Sequence, residues 1–172
     1  MSAEMIVLRL VHILCGIFWV GSAAFSSFFL LPALAGAGPA AGQIMAGLQR
    51  RRLFVVLPVA ALLTIVSGLR LMSITSAGFQ GAYFASASGR TFAASAVAAT
   101  IGFLIGMFVA RPAATRAGTL GAQLGAAQDE GARGALLAQL EQARARSATA
   151  NLIALVLLIL SAAGMAVGRY LG

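Results

Sequence analysis

Among the side chains that could do chemistry, one imidazole stands apart. His12 lies about two turns into the first long apolar segment of a chain that has no lysine and four acidic residues. An ionisable group in such a segment costs about 2.5 kcal/mol or more unless it finds a partner, so it marks a functional site by default. An imidazole can ligate a metal, relay a proton or hold a hydrogen bond. Arg9 and Cys15 flank it, each about 4.5 Å away along a helix at 1.5 Å per residue, and positions 9, 12 and 16 share one face.

Composition decides what kind of element carries that ring. The chain is 60% hydrophobic and 9% charged, and its mean hydropathy is +0.96. A soluble domain of 172 residues could not hide that much apolar surface from water. Four stretches, at about 6–31, 53–74, 92–110 and 150–167, reach the roughly 20 apolar residues that a helical membrane crossing needs. In lipid they must be helical, because every backbone N–H and C=O needs an internal partner. The expectation is an all-α, polytopic membrane protein in which residues 1–172 form a single domain, a four-transmembrane-helix bundle. The first segment is read as a retained helix rather than a cleaved signal peptide. Ala33-Leu34-Ala35 resembles a cleavage site, but Glu4 precedes the run in place of a basic cluster, and the run outlasts an h-region of about 7 to 15 residues.

Arginine alone sets orientation. Arg50, Arg51 and Arg52 precede the second segment, and Arg111, Arg116, Arg133, Arg144 and Arg146 lie between the third and fourth. Arg9, Arg70, Arg90 and Arg169 fall at the opposite face. The positive-inside rule then puts the larger group in the cytoplasm, with both termini and the 77–89 loop outward, as in a bacterial inner-membrane protein. The net charge of +8 reflects this topology. Basic and aromatic residues are not interleaved on a soluble face, so nucleic acid is not an expected partner; membrane lipid is.

Residues 112–147 form the one sizeable stretch outside the spans. Leu120 and Leu124 are one helical turn apart, as are Leu136 and Leu140, with Leu137 alongside and the polar break Gln128-Asp129-Glu130-Gly131 between the two pairs. That pattern predicts two short helices in an antiparallel cytoplasmic hairpin, with Pro112 opening a new helical stretch. Within the spans, Gly102 and Gly106 form one GxxxG and Gly164 and Gly168 another, which predicts close packing of the third helix on the fourth, with homodimerisation as the alternative. Pro58 is expected to bend the second helix, and Trp19 lies too deep for an interfacial anchor, so it belongs inside the bundle.

Depth then assembles a site. In this topology Arg9, Arg70, Arg90 and Arg169, one per helix, ring the outer end above His12, where Glu4 is the lone acid. The excess of positive charge at the edge of a low-dielectric bundle calls for an anion. A b-type haem meets both needs, with its iron on His12 and its propionates on the four arginines. Met165, one turn below Arg169, stands at the right depth for a second axial ligand; a water, an open position or the His12 of a second copy are the alternatives. Each arginine taken alone could simply snorkel to lipid phosphates.

The pattern His12-x6-Trp19-x-Gly21, followed by an aromatic run and Pro32, resembles the opening helix of the copper-resistance D-like and bacterial membrane protoporphyrinogen oxidase group. The likeness covers roughly the first 30 residues, and the remainder only as a four-helix plan. In the oxidases the matching histidine is associated with b-type haem, so the resemblance implies that His12 is a haem ligand. The chain departs from them in having no lysine and no second histidine, which does not match a complete oxidase site of that kind.

Other chemistry is excluded by what is missing. The sequence has no acidic pair in a span, no Cys-x-x-Cys, no phosphate-binding loop and no serine beside a base, so binding rather than catalysis is expected. His12 is read as a haem ligand, as a structural histidine bonded to Ser67, Ser95 or Ser161, or as a copper or proton group. Three functions follow: a b-haem protein in electron transfer or haem handling, a non-catalytic accessory subunit of a larger respiratory or photosynthetic complex, and a copper-transport component. Cys15, His12 and scattered methionines are few soft ligands for the last.

Overall fold

A computed structural model of the chain describes residues 2–38 and 40–171, and every regular element among them is helical. In chain order the helices are α1 (Ala3–Gly36), α2 (Ala40–Arg50), α3 (Leu53–Thr75), α4 (Gly81–Ala85), α5 (Ala87–Ala126) and α6 (Glu130–Tyr170). Four of them, α1, α3, α5 and α6, are long and apolar enough to cross a membrane.

Local chemistry explains where these helices begin. Ser2 caps α1 through Oγ, which accepts from the Met5 N–H, and Glu4 adds a favourable charge in the first turn. Ser86 does the same for α5 by accepting from Gly89 N–H at 3.0 Å, and Asp129 for α6 by accepting from Ala132 N–H at 2.8 Å. Arg52, at φ 57°, reverses the chain from α2 into α3.

Proline explains the irregularities inside them. A π-helical turn spans Ser26–Leu30 in α1 and another Gly106–Ala110 in α5, and in each case a proline, Pro32 or Pro112, follows two residues after the turn. A proline ring collides with the carbonyl four residues earlier, here Phe28 or Phe108, in the middle of the widened turn. Widening gives the ring room without ending the helix: Leu31 N–H reaches Ser26 O, and Arg111 N–H reaches Gly106 O, both one residue further back than in an α-helix. Pro112 therefore opens no separate helix. The third span runs straight on into the hairpin, and α6 likewise carries the fourth span and the other hairpin arm as one rod. The hairpin core is Leu120, Leu140 and Ala143, with Leu124 and Leu136 against it, whereas Leu137 is exposed.

The sequence reading assigned no element between the first two spans, yet α2 is helical. Ala41, Ile44, Met45 and Leu48 recur at i, i+3, i+4 and i+7, an amphipathic stripe too short to register beside the long apolar runs.

The spans associate as two antiparallel pairs. α1 packs along α3 and α5 along α6, while α3 and α5, and α1 and α6, touch far less. Small residues set the close approaches. A Cβ on Gly102 would lie 3.3 Å from the Ala154 carbonyl, one on Gly164 would run into the Ser95 side chain, and one on Gly168 would meet the Phe92 ring at 3.1 Å; Gly106 faces open space. Two buried serines add cross-helix hydrogen bonds, Ser161 Oγ donating to Ser95 O at 2.8 Å and Ser147 Oγ to Ala110 O at 3.3 Å. Trp19 ties the pairs together. Buried in the bundle, it packs among Ala61 and Ile65 of α3, Ala99 and Phe103 of α5 and Leu158 of α6, edge-on to Phe103 with ring centroids 6.1 Å apart.

The two ends of one GxxxG should therefore respond oppositely. Gly102→Leu drives a side chain into α6 and should cost about 1 to 3 kcal/mol, whereas Gly106→Ala should be neutral or stabilise by about 0.5 kcal/mol. Thermal unfolding in detergent micelles measures both; equal losses would mean that the α5–α6 contact does not run through Gly102.

Candidate functional site

His12 sits half-buried where α1 crosses α3, and the crossing is made close by glycines on both helices. Gly16, one turn after His12, lets the Thr64 methyl approach to 3.4 Å of where a Cβ would be. Gly68 lies directly under the imidazole: a Cβ there would come within 2.7 Å of Cε1 and 2.9 Å of Nδ1. Any larger residue at position 68 would occupy the space the ring fills.

The ring's partner is the main chain. His12 Nδ1 is 2.7 Å from the carbonyl oxygen of Thr64; Ser67 Oγ lies 3.2 Å from the same oxygen but has its shorter bond, 2.5 Å, to Leu63 O. None of Ser67, Ser95 and Ser161, the hydroxyls expected as structural partners, bonds the ring. Ser67 Oγ donates to Leu63 O, Ser161 Oγ donates to the main-chain oxygen of Ser95, and Thr64 turns its own hydroxyl back to Ala60 O at 2.8 Å. A carbonyl can only accept, so Nδ1 carries the hydrogen. In the neutral ring the lone pair then belongs to Nε2, the nitrogen left for a metal or another donor.

The arginines occupy the same end of the bundle, with partners of their own. Arg70, one turn inside the end of α3, holds Glu4 of α1 through Nη2 at 2.7 Å and Nε at 2.9 Å, both side chains about half exposed at 53% and 52%. This forked contact closes the α1–α3 pair above His12, although an exposed ion pair is worth only about 0 to 1 kcal/mol. Arg90, in the first turn of α5, donates Nη1 to Ala85 O at 3.0 Å. Arg169 stacks on Tyr170, its guanidinium carbon 4.6 Å from the ring centroid, and bonds the phenol oxygen. Arg9 is exposed three residues before His12 and is engaged as well. Met165 is half-buried on α6, and Cys15 is a partly buried free thiol.

The structure thus gathers His12, Thr64, Ser67, Gly68, Glu4 and Arg70 into one α1–α3 constellation, while Arg90, Met165 and Arg169 stand on the α5–α6 pair. Thr64 was missed from sequence because its contribution is a carbonyl that every residue has. A weak signal existed, since Thr64, Ser67 and Gly68 form a small, polar stripe at i, i+3 and i+4 in an otherwise aliphatic helix. Among the described residues no three His, Cys, Asp or Glu side chains come together as a metal cage. No protein-family model, curated protein or solved structure matches the chain.

Because the ring fills the space that a side chain at position 68 would need, removing the ring or adding a side chain at 68 should break the same contact. His12→Ala and Gly68→Ala should each destabilise the bundle by about 0.6 to 1.7 kcal/mol, from the average to the largest value typical of hydrogen bonds between membrane helices. The double variant should lose little more than the worse single one. Additive losses in detergent unfolding would show that the two positions are not coupled.

Proposed function

We propose that the chain is a multi-pass protein of the bacterial inner membrane that holds b-type haem through His12 and works in electron transfer or haem handling. The reading rests on one observation above others: the Thr64 carbonyl takes the Nδ1 hydrogen of His12 and leaves Nε2 as the lone-pair nitrogen. A ligating histidine needs this state, and a backbone acceptor on its second nitrogen fixes ring orientation and raises its basicity. Gly68 serves the same end by giving the ring its seat.

The donor set fits a haem with one protein imidazole. His12 would hold the iron, and Arg9, Arg70, Arg90 and Arg169 are the cations available to the propionates at that end of the bundle. With two propionates for four arginines, Arg70 would exchange Glu4 for a propionate oxygen, and Arg90 is left for another anion. Met165, or the His12 of a second copy, remains the candidate for a further ligand. When bound, the haem supplies one-electron redox chemistry at its iron. The likeness of the first helix to the copper-resistance D-like and protoporphyrinogen oxidase group supports the same assignment. Orientation follows the arginines: the hairpin and the Arg50-Arg51-Arg52 run face the cytoplasm and both termini face outward.

Purification in mild detergent from haem-replete cells, followed by a reduced-minus-oxidised spectrum, tests the reading. A Soret band is expected in the wild type and its loss in His12→Ala. Gly68→Ala, which displaces the ring without removing it, should weaken haem retention by about 10- to 100-fold. A colourless wild-type protein would overturn the haem assignment, and if it ran in a much larger particle it would support an accessory subunit instead.

A further inference from the structure

The two helix pairs do not close on one another along their whole length, and the seam between α3 and α5 keeps an apolar groove of about 290 Å³. Its walls include Leu69 and Met72 of α3, Phe84 of α4, and Ala96, Val97 and Ile101 of α5. The cause is visible in the packing. α3 is drawn against α1 at Gly16 and Gly68, and α5 against α6 at Gly102, Gly164 and Gly168, so the small side chains of Ala93 and Ala96 on the α3 side of α5 leave space that no neighbour fills. The groove opens sideways, where Leu69, Val97 and Ile101 are exposed.

We infer that this groove is a binding site for an acyl chain of an anionic phospholipid whose phosphate is held by Arg90. The inference rests on the membrane reading above and not on the haem. An unfilled apolar gap forfeits the dispersion contacts of its lining, and water gains nothing there; in a bilayer the hydrocarbon chain is the occupant at hand. Charge selects the headgroup. Arg90 precedes Ala93, Val97 and Ile101 on one stripe of α5, so the guanidinium stands one turn beyond the groove, tethered to Ala85 O beside Phe84. That bond uses one of its five N–H donors. The nearest acid at this end in the ion-pair network, Glu4, is held by Arg70. Phe79, Tyr83 and Phe84 lie at the same mouth, as aromatic residues do at the headgroup level. A neutral isoprenoid would satisfy the groove but leave the arginine unused.

Native mass spectrometry of the detergent-purified protein, titrated with phosphatidylglycerol or phosphatidylcholine of identical chains, reads the site. One phosphatidylglycerol should bind about fivefold more tightly than phosphatidylcholine, the worth of one arginine at a membrane surface. Arg90→Gln should abolish that preference. Ala96→Leu should reduce both lipids to non-specific binding, whereas Val156→Leu, on an exposed stretch of α6, should change neither. As a check that does not depend on a variant folding, phosphatidylglycerol with a diazirine in its acyl chain should label residues 69–72 and 97–101 of the wild type. Equal affinity for the two lipids, wild-type binding by Ala96→Leu, labels spread over all four spans, or displacement by a neutral quinone would each overturn the site. Alkaline carbonate extraction separates the two levels: a protein released from membranes sinks the membrane reading, and one that stays but shows no lipid preference sinks only the groove.

Discussion

Helices whose outer faces are apolar gain nothing from hiding those faces against each other when the surroundings are apolar too, so their association depends on close backbone approach and on a few polar contacts. Both devices coincide here. Gly16 and Gly68 bring α1 onto α3, and Gly102, Gly164 and Gly168 bring α5 onto α6. At Gly68 and at Gly164 a side chain also reaches across to a main-chain carbonyl, His12 to Thr64 and Ser161 to Ser95, and further along α5–α6 Ser147 does the same to Ala110. A helical carbonyl keeps a second lone pair after its own ladder bond, so a donor from the neighbouring helix can use it without breaking the helix.

The same economy shapes the candidate site. A histidine that bonds a serine on the next helix could take either tautomer, because a hydroxyl both gives and accepts. A histidine that bonds a carbonyl has no such choice. The structural and ligating readings of His12 are therefore compatible: the contact that fastens α1 to α3 also leaves the lone pair of the neutral ring on Nε2. Glu4 and Arg70 close the pair above the ring, and their half-exposed position makes them exchangeable for another anion at small cost.

Pairwise packing has a second consequence. Glycine contacts are concentrated within α1–α3 and α5–α6, which leaves Trp19 to join the pairs with one large side chain reaching toward all of its neighbours. One knob cannot fill an entire seam, and the groove between α3 and α5 is what remains. The π turns are a comparable compromise. They carry Pro32 and Pro112 through continuous helices, and in α5 this lets a span and a hairpin arm act as a single rod.

Apolar run length, caps and turn residues are local properties, and they made the helical class, the four long spans, the hairpin register through Leu120, Leu124, Leu136 and Leu140, and the interior place of Trp19 legible from the chain alone. His12 was legible as well, because an ionisable group in an apolar run is costly wherever the run goes. What the ring bonds was decided only in three dimensions, since its partner is a backbone oxygen that no residue type advertises. So was the division of the arginines, with Arg70 given to Glu4, Arg90 to Ala85 and Arg169 to Tyr170, for spacing along a helix reports depth and not which neighbour stands alongside. The extension of α5 through Pro112 and the unused Gly106 belong to the same class. A proline or a glycine states what the backbone permits, and the packing of the other helices determines whether that permission is used.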